Sequence, residues 1–231
     1  MVTKQKTILA VGSIALDTLE TPNGNRENLL GGSASYFSIA ASLLARVKLV
    51  GVVGEDYPED GWKMFQSRGV NLDNVQINPG KTFRWGAKYN HDCSLRDTLF
   101  TELGVFENFI PSIKTTDCAS PLIFLGNIQP DLQLRVAGLV GGAEHIVSDT
   151  MNLWIDLFPE RLNDVLGLST IFLINHEEAE QLTGETDLSR AGKKLASAGP
   201  QIVVIKRGAK GAYLLYENNE FFIPVFPVQQ V

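Results

Sequence analysis

The chain has 231 residues, and its 20 basic against 26 acidic side chains leave a formal net charge of −6, with 44% of residues apolar and 20% charged. Such totals describe an ordinary globular chain, long enough to bury a full core, and exclude a mini-protein that needs staples. With no Lys/Arg stripe in an acidic chain, nucleic acid is not an expected partner.

No apolar stretch approaches the roughly 20 residues needed to cross a bilayer. The segment after Met1–Lys6 holds Gly12 and Asp17 and does not read as a signal peptide, so no membrane partner is expected. Cys93 and Cys118 form no CxxC and no disulfide framework, which points to the reducing cytoplasm. His91, His145 and His176 lack HxxxH or HExxH spacing, so a zinc site is not expected.

In chain order, Ile8 to Val11 is the first short Val/Ile-type strand, and the polar segment 16–30, with Pro22, Gly24 and three Asn, leaves it. Tyr36, Ile39, Leu43 and Val47 then recur at helical spacing, while Val47 to Val53 reads as a strand. Trp62 and Phe65 mark a helix stopped by Gly69. Within 82–109, Thr82–Tyr89 and Asp97–Glu102 read as two strands joined by a polar turn around Asn90 to Ser94. Strands follow at Leu122–Leu125, His145–Val147, Thr170–Ile174 and Ile202–Lys206. Between them, helical spacing runs through Leu132, Val136, Leu139 and Val140, and through Leu188, Ala191 and Leu195 up to Gly199. A hairpin turning at Asn218-Asn219 joins Tyr213–Tyr216 to Phe221–Val225, and Pro227–Val231 reads as the start of another strand.

Alternating strands and helices imply crossover connections and therefore an α/β fold with a mostly parallel sheet flanked by helices. The expected organisation is one domain over 1–231, with segments 16–30 and 82–109 forming a small β layer outside the main sheet. Such insertions commonly serve as lids over a ligand cleft.

Four places carry candidate chemistry. Asp17, in Gly12-Ser-Ile-Ala-Leu-Asp17, follows the first strand, where a carboxylate can accept bonds from ligand hydroxyls; the alternative is a loop Asp capping a turn. The segment is no dinucleotide fingerprint, since it lacks the two further glycines, and an NAD-dependent enzyme is disfavoured. Gly31-Gly32-Ser33-Ala34-Ser35-Tyr36 opens the amphipathic helix: either adjacent glycines let a ligand approach free helical N–H groups, or Ser33 is simply an N-cap. Asn175-His-Glu-Glu178 combines a possible helix cap with a carboxylate able to hold magnesium through water, and a plain capping box gives the same letters. Asp149-Thr-Met-Asn152 ends a strand on the same edge. Lys206-Arg-Gly-Ala-Lys-Gly211 is not a Walker A loop, and is either a phosphate-touching turn or a solvated one.

Together, the order Asp17, Gly31-Gly32, Gly51-Val-Val-Gly-Glu-Asp56 with Gly61, the 82–109 hairpin, Asp149/Asn152, Asn175-x-x-Glu178 and Lys206-x-Gly-x-x-Gly211 resembles the ribokinase-like (PfkB) family of carbohydrate and nucleoside kinases, along the whole chain. It is most similar to bacterial sugar kinases. The resemblance implies a Rossmann-like sheet with a small β lid, and ATP–Mg²⁺-dependent phosphorylation of a hydroxyl on a sugar or nucleoside. It implies that Asp17, Gly31 and Gly32 hold the acceptor, with Tyr36, Arg84 and Asn127 beside it. Asn152, Asn175, Lys206, Gly208 and Gly211 would face the nucleotide, and Glu178 the magnesium. Tyr36 stands where the family often has Asn. A homodimer through the lid is a further implication.

In the family, the strand matching Pro227–Val231 runs into an Asp-Thr-Gly-Ala-Gly-Asp type loop that carries the anion hole and the general base. The expectation is therefore a chain lacking its C-terminal part, with the base beyond Val231 and no activity of its own. A shortened, non-catalytic sugar- or nucleoside-binding module is the alternative.

Overall fold

A computed structural model describes residues 6–91 and 96–227. All but Pro227 of the expected strand start at Pro227–Val231, and most of the turn around Asn90–Ser94, lie outside these residues. The fold is α/β, and the chain divides into two compact units. One runs from the N-terminal region to Gly126 and takes in Leu139–Ala143, and the other holds Asn127–Gly138 and the chain from Glu144 onward.

The first unit contains β1 (Thr7–Val11), β2 (Ala15–Thr21), β3 (Gly24–Gly31), α1 (Ser33–Ala41), β4 (Arg46–Gly54), α2 (Glu59–Ser67), β5 (Asn71–Asn78), β6 (Phe83–Tyr89), β7 (Arg96–Glu102) and β8 (Leu122–Leu125). Strands β8, β1, β4 and β5 lie side by side, all parallel, with Ile8 beside both Leu122 and Val47. Leu9, Val11, Leu49, Val50, Val52, Ile123 and Leu125 are buried, as expected for parallel strands covered on both faces. The remaining strands make a separate four-stranded sheet in the order β3-β2-β6-β7. Segment 16–30 thus forms two strands of the small β layer expected from the sequence.

One sequence expectation is corrected here, and one strand lies where none was expected. Helix α1 stops at Ala41, so Leu43 lies beyond it, 67% exposed, and Val47 belongs to β4. Its buried positions are Ala34, Ser35 and Ser38, small residues that hydropathy spacing does not mark, while Tyr36 is exposed. Strand β5 carried no expectation because its sequence, NLDNVQIN, is rich in Asn and Asp. It is held by polar contacts: Asn74 Nδ2 donates to the buried Asp117 (2.8 Å), which also takes Lys48 Nζ, and the Lys114 N–H donates back to Asn74 Oδ1 (2.8 Å).

The second unit contains α3 (Pro130–Leu139), β9 (His145–Asp149), α4 (Asn152–Leu157), α5 (Pro159–Leu168), β10 (Ile171–Asn175), α6 (His176–Thr183), α7 (Leu188–Ser197), β11 (Ile202–Lys206), β12 (Ala212–Tyr216) and β13 (Asn219–Ile223). Strands β9, β10 and β11 are parallel; β12 and β13 add antiparallel. The β12–β13 turn is Glu217-Asn218, both at positive φ (47° and 66°), the backbone of a two-residue hairpin whose twist matches its strands. Phe172, Ile174, Val203, Ile205 and Tyr213 pack with Leu162, Val165, Leu166, Ala191 and Leu195 into one core. On the outer strand β13, Phe221, Phe222 and Ile223 are about half exposed or more. Among the described residues, no helix is long and apolar enough to cross a membrane.

Candidate functional site

In the first unit the chain leaves β1 through Gly12-Ser13 and enters β2, which carries Asp17 opposite Leu29 of β3 and Trp85 of β6. The Asp17 carboxyl rests directly on Gly31: a Cβ built there would overlap the carboxylate. Gly32 follows at φ 95°, in the region that side chains disfavour, pressed against the Ser13 carbonyl. The glycine pair is therefore fixed by close approach and not by a need for flexibility.

The first N–H groups of α1 are not free, contrary to one of the two sequence readings. Ser33 N–H donates to Ser13 Oγ (3.0 Å) and Ala34 N–H to the Ser13 carbonyl (3.1 Å). Nor is Ser33 the N-cap: Gly32 is, and Ser33 is the first helical residue. Ser13, buried and without a role in the sequence reading, is what joins α1 to the end of β1.

Asp17 accepts no side-chain hydrogen bond from any described residue, and burial alone pushes its carboxyl up to about 6. Tyr36, 65% exposed, lies within its electrostatic reach. Partial desolvation raises the Tyr36 phenol, and the Asp17 carboxylate and Tyr89 raise it further. Trp85 carries the Arg96 guanidinium over its ring, 5.7 Å from the centroid. Arg84 stands beside Leu16 and not beside Asp17, and its guanidinium donates to Asn28 Oδ1 (2.6 Å) and Asp56 Oδ2 (3.1 Å). This unit thus brings Asp17, Gly31, Gly32 and Tyr36 together, with Arg84 turned to other partners.

In the second unit, Asp149, Asn175 and Lys206 end the adjacent parallel strands β9, β10 and β11, with Asn175 registered against Lys206. Lys206 Nζ lies 3.2 Å from Asp149 Oδ1. Burial pushes the Asp149 carboxyl up, and the Lys206 charge and the Thr150 backbone offset part of that. Asn175 and Glu178 form a complete capping box: Glu178 N–H donates to Asn175 Oδ1 (2.8 Å) and Asn175 N–H to Glu178 Oε2 (2.9 Å). Asn152 begins α4 at the surface, three residues after Asp149. Gly208 (φ 55°) and Gly211 (φ 83°) bracket a 3₁₀ turn closed by Arg207 N–H to the Gly211 carbonyl (2.8 Å), which carries β11 back into β12. Asn127, assigned with the acceptor in the sequence, belongs to this unit, and its Oδ1 accepts from Trp154 Nε1 (2.7 Å). Among the described residues, no group of three or more His, Cys, Asp and Glu side chains is set up to hold a metal ion.

Comparison with known proteins bears on both units. Residues 138–231 match the model of the pfkB family carbohydrate kinases. A cytidine kinase of Thermococcus kodakarensis is 29% identical over 227 residues, which cover 96% of this chain and 80% of the relative. A 2-dehydro-3-deoxygluconokinase of Thermoproteus tenax is 26% identical over 213 residues, 85% of this chain and 66% of the relative. A crystal structure of an E. coli protein described as a putative ribokinase II, in complex with ATP and Mg²⁺, superposes with a TM-score of 0.78 at 16% identity, over 98% of this chain and 80% of that one. The nucleoside kinase of Methanocaldococcus jannaschii gives 0.77 at 17% identity, over 99% and 79%. At these identities the structures speak to the fold, and the fold is ribokinase-like. Kinase relatives, the family match over residues 138–231 and the strand-end motifs agree in their likeness to the pfkB family of carbohydrate kinases.

Proposed function

We propose that the chain is the substrate-holding body of a kinase that transfers the γ-phosphoryl group of ATP to a hydroxyl of a nucleoside or sugar. Asp17 carries this reading: a desolvated carboxylate without a donor among the described residues, seated on a glycine pair, is costly to keep unless a ligand's hydroxyls complete it. Asp17 accepts from the acceptor hydroxyls, the backbone of Gly31 and Gly32 lets it approach, and Tyr36 lies against its ring, with Arg84 as an outlying contact. A nucleoside is the favoured acceptor, because the cytidine kinase relative aligns over nearly the whole chain and an exposed aromatic ring suits a base.

Asn152, Asn175, Lys206, Gly208 and Gly211 take the nucleotide, and Lys206 exchanges Asp149 for a phosphate oxygen. Magnesium, when bound, would draw most of its ligands from water and phosphate, and Glu178, whose Oε2 accepts the Asn175 N–H, would reach it only through water. When bound, the ion neutralises phosphate charge, and the protein's part is positioning.

The sequence contains no Gly-Ala-Gly-Asp segment, and no described residue is assigned as the base for the acceptor hydroxyl. The 231-residue chain by itself is therefore expected to bind without turnover, as the binding-module alternative also holds. Calorimetric titration with cytidine, ribose and ATP, followed by a magnesium-dependent phosphorylation assay, tests both points. Failure of every nucleoside and sugar to bind overturns the acceptor site, and clear turnover overturns the inactivity. We further assign the protein to the cytoplasm, from its two widely spaced cysteines, and expect a homodimer through the four-stranded sheet, which sedimentation at two concentrations would check.

A further inference from the structure

The Gly51-Val-Val-Gly-Glu-Asp56 segment ends in a carboxylate that neither the acceptor nor the nucleotide reading uses. We infer that Asp56 is a positioning residue that clamps the four-stranded sheet of the first unit to the end of β4. Its Oδ1 accepts both the Thr82 N–H (2.7 Å) and the Thr82 hydroxyl (2.8 Å) at the entrance to β6, and Thr82 Oγ1 in turn accepts the Gly54 N–H (3.0 Å). Its Oδ2 accepts from Arg84 Nη2 (3.1 Å), with Lys81 Nζ at 3.7 Å. Although burial by itself raises the Asp56 carboxyl, the Thr82 donors and the Arg84 guanidinium outweigh it and hold the group below the usual carboxylate range.

The chain of contacts does not stop at Arg84. Its other nitrogen donates to Asn28 Oδ1 (2.6 Å), on β3, where Asn28 sits at φ 56°. In the sheet order β3-β2-β6-β7, β2 lies between β6 and β3, so the guanidinium of Arg84, whose backbone is registered beside Leu16, reaches across β2. The next residue of β2 is Asp17, which strand alternation turns to the opposite face. One carboxylate thus ties the end of β4, the start of β6 and the middle of β3 together, bridging from behind the strand that carries the acceptor carboxylate. Charge-assisted bonds of this kind are about twice as strong as neutral ones, and a planar guanidinium fixes direction as well as distance.

Hydrogen–deuterium exchange on the whole chain reads this role without any ligand, so it stands or falls independently of which acceptor is bound. Asp56→Asn keeps an oxygen for Thr82 but presents N–H groups to Arg84. Arg84→Gln cuts the same clamp from its other side, should the first variant fold poorly. In each, amides of Gly24–Gly31 and Phe83–Tyr89 are expected to exchange about tenfold faster, with those of β1 and β10 unchanged. The double variant is expected to be no faster than the faster single one, because both cut one clamp. Unchanged exchange in the four-stranded sheet, equal acceleration throughout the first unit, or additive effects in the double variant would each overturn the role. Cytidine affinity measured on the same proteins separates this from the acceptor reading: if the unsubstituted chain binds no cytidine, the acceptor assignment fails and the exchange pattern still decides the clamp.

Discussion

The two units treat their candidate site groups in opposite ways. In the first, Asp17 is kept desolvated and without a donor among the described residues, its carboxyl pushed up to about 6. In the second, the corresponding groups are already satisfied at home: Asn175 and Glu178 cap α6, and Lys206 faces Asp149. On the function proposed above, the first spends stability to hold a group ready, while the second keeps its groups paired and would trade partners when a ligand arrives.

The contrast is broken most severely by Gly31→Ala. The new methyl overlaps the Asp17 carboxylate, so the side chain must swing away. Acceptor affinity is expected to fall at least about 100-fold by calorimetry, with a loss of about 2 kcal/mol in denaturant unfolding.

Asp17→Asn sharpens it, because affinity and stability should move in opposite directions. The folded-state value, about 6, lies above the ordinary 3.8, so the folded protein holds this proton more tightly than the unfolded chain. Stability from this group is present in full below 3.8 and is lost as pH rises through about 6. After allowance for partial exposure, the Asn variant is expected to gain about 1 kcal/mol over the parent at pH 8 and nothing near pH 4, while acceptor affinity drops about tenfold or more. A pH series of thermal melts with paired titrations checks both halves.

On the second unit the expected losses are smaller. Asn175→Ala removes a cap and should cost about 1 kcal/mol, seen as a lower denaturant midpoint with an unchanged slope. Lys206→Met leaves Asp149 without its cation, but Lys206 is half exposed, so the stability change should stay below about 1 kcal/mol. A fall in ATP affinity should be its main effect. If Lys206→Met instead proves as destabilising as Gly31→Ala, the second unit is not the relaxed partner described here.

Much of the fold was legible because parallel strands are buried on both faces and read as short apolar runs: the expected Val47–Val53 and Ile202–Lys206 lie within β4 and coincide with β11. What escaped was structure held by polar or small residues. Strand β5 is secured by Asn74 and its link to Asp117, 43 residues away in sequence, and no local pattern announces such a pairing. The face of α1 was misjudged because its buried side is Ala34, Ser35 and Ser38, while the more conspicuous Tyr36 is exposed. At the candidate sites, Asp17 and the glycine pair could be found as neighbours in a motif. That Gly31 supports the Asp17 carboxyl, that Ser13 consumes the helix N–H groups and that Asp56 holds Arg84 depend on strand register, which the letters do not carry.

The outer strand of the second unit has a consequence for how the protein behaves at high concentration. Among the described residues no strand lies outside β13, and a strand edge bearing Phe221 and Phe222 is a template on which other strands can add. Pro224 and Pro227 follow it directly, and neither has an N–H to offer a growing ladder. Among the described residues the exposed edge is the five residues of Asn219–Ile223, bounded by two prolines of the kind that oppose sheet extension.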